Sequence, residues 1–393
     1  MRTRPRTGKL MTRSWTLPVL AAAAVAAGLL TTVPYGTAGG GRGDGGASAG
    51  PAAGRLAAAG APQGKARPDA RHVVLAVHGG AGTALQRDET SPEREKAYRD
   101  GLADAVRAGK QVLDRGGDSV SAVEAAVRSL EDDPLFNAGK GAVFTADAGH
   151  ELDASIMRGS DLAAGAVAGV RHVRNPVSAA RLVMEKSPHV LLAGEGADDF
   201  AARNGLATVT QDYYWTQARW DALMAAKKKA GEDRSGAGTR SSAALADEQA
   251  KGTVGAVARD GRRNLAAATS TGGLTNKMSG RIGDSPVVGA GTYAKNGTVA
   301  ASATGDGEIF LRGAATATIS SLMEFGGKDV AAAAYEVLVK RLPKLGGDGG
   351  VIALDGRGTF DAPHSSEGML HAYLTEDGTI VTKIFPDETP PNT

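Results

Sequence analysis

The stretch "ADEQAKGTVGAVARDG", Ala246–Gly261, joins two kinds of chain. To its left, "AAKKKAGEDRSGAGTRSSAALADEQAKG", residues 225–252, is mixed in charge and poor in large apolar groups, which reads as a flexible linker. To its right, Val254, Ala256 and Ala258 alternate as in a buried strand. A linker this long inside a compact domain is uncommon and calls for a reason, and cleavage supplies one. The Thr253 hydroxyl can attack the Gly252 carbonyl and move the acyl group from nitrogen to oxygen. Water then opens the ester, exposing Thr253 as a new terminus. Its freed α-amino group, with a reference pKa of about 7.7–8.0, can take the proton of its own hydroxyl, so one residue carries nucleophile and base. An isolated Gly-Thr pair more often just begins a strand, and the decision rests on the sequence around it.

Composition narrows the classes. The chain of 393 residues is long enough for one large core or two lobes. Its 55 glycines gather in clusters such as "HGGAGT", "STGGLT" and "GGDGGV", as expected of backbone-lined sites. The absence of cysteine excludes disulfides, thiolate metal sites and cysteine nucleophiles, and the seven histidines have no metal-ligand spacing. Residues 1–38 carry Arg2, Arg4, Arg6, Lys9 and Arg13 ahead of the apolar run Leu17 to Leu30, with small residues near Gly36 to Ala38. This reads as a secretory signal, implying a secreted or extracytoplasmic protein with no stable membrane insertion once the leader is removed; an uncleaved leader would make it a membrane anchor. Without those five positive charges, 40 basic residues face 43 acidic ones, so nothing favours nucleic acid as a partner. Residues 39–71 are a Gly/Ala/Pro-rich tether. They contain "GASAG" (Gly46–Gly50), which lacks the strand and helix of a hydrolase elbow, and an incidental "RGD" (Arg42–Asp44).

The folded part opens with "HVVLAVHGGAGT". Val73 to Val77 suits a strand buried on both faces, ending in a glycine turn whose spacing is wrong for a dinucleotide fingerprint. A helix is expected from Ser91 and Pro92 to Gly116-Gly117, and a second one capped by Ser121 with Glu124 and running to Leu130. Asp153 and Ser155 lie among apolar residues, where hydrogen-bonded structural groups are the usual case. Further strands are expected at Val254 to Ala258, Leu265 to Thr269, Val299 to Ala303 and Val351 to Leu354, with helices at Ala315 to Phe325 and Val330 to Lys340.

Three clusters follow the seam: "ATSTGGLTNKMSGRIGDSPVVGAGTYA", "ATGDGEIFLR" and "GGDGGVIAL". With "HGGAG", "LFNAGKGAVFT", "HELDASIM", "NPVSAARLVM" and "GTVGAVA", all in one order, residues 72–393 resemble the plant-type L-asparaginases, or isoaspartyl peptidases, a family of self-cleaving N-terminal-nucleophile hydrolases. The resemblance implies an α/β (α+β) fold, a four-layer αββα sandwich built from an α subunit (72–252) and a β subunit (253–393), assembled as (αβ)₂. It implies hydrolysis of β-aspartyl dipeptides and L-asparagine; an uncleaved relative that only binds aspartyl ligands is the other reading. Glycosylasparaginases, the neighbouring branch, have an aspartate before the nucleophile, where this chain has Gly252.

By position, Thr253 corresponds to the nucleophile and Thr271 to a hydroxyl beside it. Thr304 and Gly305 match oxyanion donors, and Arg281 and Asp284 match the residues that hold the substrate's α-carboxylate and α-ammonium. In isolation, an arginine and an aspartate three residues apart are more often a salt bridge. Gly307 and Asn137 are expected at the substrate site. No organic cofactor is implied. A structural sodium ion is, on the main-chain carbonyls of Leu130, Glu131, Asp133, Phe136, Ala138 and Lys140. "APHSSEGM", Ala362–Met369, departs from the family wording.

Overall fold

The structure is a computed structural model and describes residues 72–82, 85–235 and 252–388. The leader and tether, and the linker beyond residue 235, lie outside the described residues.

Before the seam the chain forms β1 (Val73–Gly82), α1 (Pro92–Asp114), α2 (Ser119–Glu131), β2 (Leu152–Arg158), β3 (Ala164–Val170), α3 (Pro176–Lys186), β4 (Leu191–Ala193), α4 (Gly194–Arg203) and α5 (Gln217–Ser235). After it come β5 (Val254–Arg259), β6 (Leu265–Thr271), β7 (Thr292–Ala294), β8 (Val299–Gly305), α6 (Gly307–Gly313), α7 (Ala315–Glu324) and α8 (Val330–Tyr335). The chain closes with β9 (Gly349–Asp355), β10 (Phe360–Asp361), β11 (Gly368–Thr375) and β12 (Ile380–Lys383). The strands form an eight-stranded sheet in the order β12-β11-β1-β5-β6-β2-β3-β4 and a four-stranded sheet in the order β10-β9-β8-β7. All pairings are antiparallel except β3 with β4.

Strand alternation builds the layers. In β5, Val254, Ala256 and Ala258 turn outward to a core shared with α1, α2 and α3, whereas Val257 turns inward to meet Ala300, Ile352 and Leu354 of the second sheet. In β8 and β9, Val299, Ala301, Val351 and Ala353 join Ile319, Ala333 and Leu338 in a third core beneath α7 and α8. Helices, sheet, sheet and helices thus stack as the expected αββα sandwich, with each strand residue facing one core or the next because successive side chains point to opposite faces.

Four local readings are corrected. The glycines after His78 do not turn away: β1 continues through Gly82 against β11, absorbing a register shift between His78 and Gly80. The N-cap of α2 is Asp118, whose carboxylate accepts from the Ser121 N–H; Glu124 instead receives Arg181 and Ser178. Either residue satisfies capping chemistry, and Asp118 stands one turn earlier. The helix from Val330 stops being α-helical at Tyr335 and continues as a π-helical turn, Glu336–Arg341. Finally, α5 runs to Ser235, into the segment read as linker, because Ala, Met and Lys favour a helix once Leu223 anchors it in the interior.

The sheets approach closely at Gly255, the second residue of β5. A Cβ there would stand 2.0 Å from Ser302 Oγ and 2.4 Å from His78 Nε2, so only glycine fits. Gly255→Ala is expected to lower unfolding stability in urea by about 1–3 kcal/mol through overpacking. Gly261→Ala, with nothing within 4 Å of the new methyl, should change stability by less than about 0.5 kcal/mol.

Candidate active site

Val254 of β5 pairs with Ser270 of β6, which sets Thr253 opposite Thr271 at the mouth of the hairpin. The Thr253 hydroxyl donates to Thr271 Oγ1 at 3.0 Å, and the same oxygen accepts the Gly273 N–H at 2.9 Å. Both threonines line a small cleft with Leu274, Arg281, Asp284 and Gly305. Thr304, next to Gly305 at the end of β8, is fully buried and not part of the cleft lining, and its hydroxyl oxygen accepts the Ala81 N–H at 3.1 Å. That contact uses a lone pair and leaves the hydroxyl hydrogen available as a donor.

Charge in the cleft is arranged asymmetrically. Arg281 forms a two-bond pair with Glu308, each N–H···O contact 2.9 Å long, rather than closing on Asp284. Asp284 is buried, its Oδ2 has no hydrogen-bond partner, and burial pushes its carboxyl up to about 7. An unpartnered buried carboxylate facing a cleft is a receptor for a cation. Gly307 abuts both charges: a Cβ on it would lie 2.9 Å from Arg281 Nη2 and 3.0 Å from Asp284 Oδ1. Beneath them Lys277 is also buried, donates to the Glu151 carbonyl at 2.7 Å, and has its ammonium pKa lowered by burial.

Asn137 sits behind the cleft. Its amide donates to the Gly273 carbonyl at 2.7 Å and accepts the Val143 N–H at 3.0 Å, so both ends are committed to shaping the glycine turn after β6. Gly252 packs on it, an added Cβ lying 3.3 Å from Asn137 Cβ.

This arrangement of two facing threonines, a buried hydroxyl donor and separated charges can be set beside known proteins. The asparaginase family profile matches residues 71–384. The isoaspartyl peptidase of Salmonella typhimurium is 53% identical over 315 residues, covering 79% of this chain and 98% of that protein. The isoaspartyl peptidase of Escherichia coli K12 is 50% identical over 314 residues, covering 79% and 96%. The probable isoaspartyl peptidase/L-asparaginase 2 of Arabidopsis thaliana is 38% identical over 327 residues, covering 79% and 98%. The chain belongs to the asparaginase family.

For this asparaginase-family chain, the loop from Leu130 to Lys140 is the segment where a sodium ion is expected. Among the described residues no group of three or more acidic or histidine side chains is placed to hold a metal, so a cation in this loop would have to be held by main-chain oxygens. The Asp133 and Ala138 carbonyls each accept one backbone N–H and keep a second lone pair, whereas the Leu130 carbonyl receives the N–H groups of both Asp132 and Asp133. Arg219 already brings positive charge to the loop, donating to the Gly141 carbonyl at 2.8 Å. A set of neutral carbonyl oxygens fits a hard cation.

One feature escaped the sequence reading. His78 Nδ1 lies 3.0 Å from the Thr253 carbonyl and its Nε2 lies 2.8 Å from Ser302 Oγ. A carbonyl can only accept, so Nδ1 carries the hydrogen, Nε2 is the acceptor, and Ser302 donates to it. Ser302 then accepts from Thr269 at 2.7 Å and Thr269 from Thr292, while Ser155, whose hydroxyl donates to the Ser285 carbonyl at 2.6 Å, lies 2.8 Å from Thr292 Oγ1. Four buried side chains between the sheets, Thr292, Thr269, Ser302 and His78, thus form a directed chain of donors ending on the Thr253 carbonyl. The signal in the sequence was present: polar residues at inward strand positions that must find partners. Because burial pushes the His78 imidazole down to about 3, selective ¹⁵N-histidine NMR should find it neutral and Nδ1-protonated from pH 5 to 8. A midpoint within that range, or an Nε2-protonated ring, would contradict the chain's direction.

Proposed function

We propose that the protein is a self-processing threonine hydrolase that cleaves β-aspartyl dipeptides and L-asparagine to release L-aspartate. The observation carrying this reading is that the Thr253 hydroxyl shares its cleft with Arg281 and with the unpartnered carboxylate of Asp284. Arg281 would take the substrate's α-carboxylate and Asp284 its α-ammonium. Only the side-chain carbonyl of the aspartyl unit is then left to meet the nucleophile. Scission of Gly252–Thr253 frees the α-amine, which removes the proton from Oγ1 as that oxygen attacks. The Thr304 hydroxyl and the Gly305 N–H receive the developing oxyanion. The leaving amine departs with the proton, and water releases aspartate from the ester by the same route reversed.

The resemblance and the family membership also support the finer calls. We propose export through the 1–38 leader and assembly as (αβ)₂. We further propose that the Leu130–Lys140 carbonyls hold sodium, which would fix the loop bearing Asn137.

Intact-mass analysis of leaderless protein should find a break between Gly252 and Thr253 without added protease, and Thr253→Ala should stay full length. Cleavage of the variant at the same bond would assign the cut to another protease. On processed enzyme, β-Asp-Leu should be hydrolysed and α-Asp-Leu, which lacks the free α-carboxylate, poorly; Arg281→Ala should lose roughly 10-fold to 100-fold in kcat/KM, the equivalent of one charge-assisted hydrogen bond. Equal rates on the two isomers would overturn the assignment.

The pH dependence follows from the same groups. Protonation of Asp284, whose carboxyl lies near 7, removes the charge that meets the substrate ammonium, and protonation of the Thr253 amine removes the base. The rate kcat/KM should therefore fall as pH drops below about 7, in the direction set by both groups. A profile flat from pH 5 to 8 would exclude both roles.

A further inference from the structure

We propose that Glu308 is a positioning residue for substrate selection, holding Arg281 side-on so that its end-on edge is presented to an α-carboxylate. This rests on the reading of Arg281 given above. Glu308 follows Gly307 in α6, and its two carboxylate oxygens engage Nε and Nη2 of Arg281 at 2.9 Å each. A guanidinium has five N–H groups; this pair uses one on Nε and one on Nη2, leaving both on Nη1 and the second on Nη2. Those remaining hydrogens form the end-on fork, which a second carboxylate can engage through both terminal nitrogens.

The surroundings keep that edge open. Gly283 and Gly273 flank Nη1, where an added Cβ would stand 2.9 and 3.4 Å away, and Gly307 flanks Nη2 at 2.9 Å. Any side chain at these three positions would crowd the fork. Arg281 lines the cleft with Thr253, whereas the Glu308 side chain is 56% exposed and outside it. The acid therefore grips the arginine from the solvent side while the substrate approaches the other edge.

Two effects of removing Glu308 oppose each other. Losing its charge would strengthen the arginine's attraction for an anion, but more than half-exposed charges are well screened. Losing the grip frees a long side chain that must be re-ordered with each substrate bound, and that cost is felt in full. The second effect dominates, so the residue aids binding of the α-carboxylate rather than competing with it.

The test compares two inhibitors of β-Asp-Leu hydrolysis by processed enzyme: L-aspartate, and β-alanine, which is aspartate without its α-carboxylate. In Glu308→Gln and Glu308→Ala, Ki for L-aspartate should rise about fivefold while Ki for β-alanine and kcat stay within about twofold, the scale of a part-exposed ion pair. A fall in Ki for L-aspartate would make Glu308 a competitor for the arginine and overturn the proposal. A parallel rise for both inhibitors would mean general distortion, and no change would mean no role; each overturns it as well. Arg281→Ala serves as the separate control: if it keeps the preference for L-aspartate over β-alanine, the reading of Arg281 itself falls, independently of Glu308.

Discussion

Burial of hydroxyls and an imidazole between two close sheets is the constraint on which the site depends. A polar group there has no water to turn to, so it must be satisfied by another group at the same depth. Thr292, Thr269, Ser302 and His78 meet that demand by bonding in series, and the last bond falls on the carbonyl of Thr253. Thr253, the residue just before β5, is thereby held from behind by groups that do not line the cleft. Gly255 is part of the same constraint, since any side chain there would occupy the space in which Ser302 and His78 meet.

The cleft works on the opposite principle. Its charged groups are incompletely matched: Arg281 is engaged on one edge only, and Asp284 retains an oxygen without a partner. Asp153 below them is also buried, with its carboxyl pKa raised by burial and Lys277 opposing that rise. A closed network would have been more stable as a scaffold but would leave no free energy to gain from a ligand. Satisfaction in the interior and incompleteness at the surface divide the labour between folding and binding.

Much of this was legible in the sequence, for identifiable reasons. Strands β5, β6, β8 and β9 were readable because their small apolar residues run without interruption, and α1 because Ser91, Pro92 and the Gly116-Gly117 pair mark its ends. Thr253, Thr271, Arg281, Asp284 and Gly305 were named from motifs and do line one cleft. What was not legible depends on three-dimensional partners. The choice of Glu308 over Asp284 as the ion-pair partner of Arg281 cannot be read from spacing, because Glu308 lies 27 residues along the chain and only the fold brings it to the arginine. The commitment of Asn137 to Gly273 and Val143 was hidden for the same reason, as was the continuation of β1 through a run of glycines that locally reads as a turn.

Strand order in the large sheet has a further consequence. Segments from before the seam (β1, and β2 to β4) alternate with segments from after it (β11 and β12, then β5 and β6), so neither part alone completes the large sheet. If the Gly252–Thr253 bond is broken as proposed, the two pieces remain interleaved, but they are no longer one molecule in the unfolded state. Unfolding changes from a unimolecular to a dissociative process, and refolding becomes a second-order encounter between fragments that each expose unpaired strand edges. A processed particle would then persist through the slowness of its opening rather than through an ability to reassemble, so the proposed cleavage would commit the chain to its folded form for life.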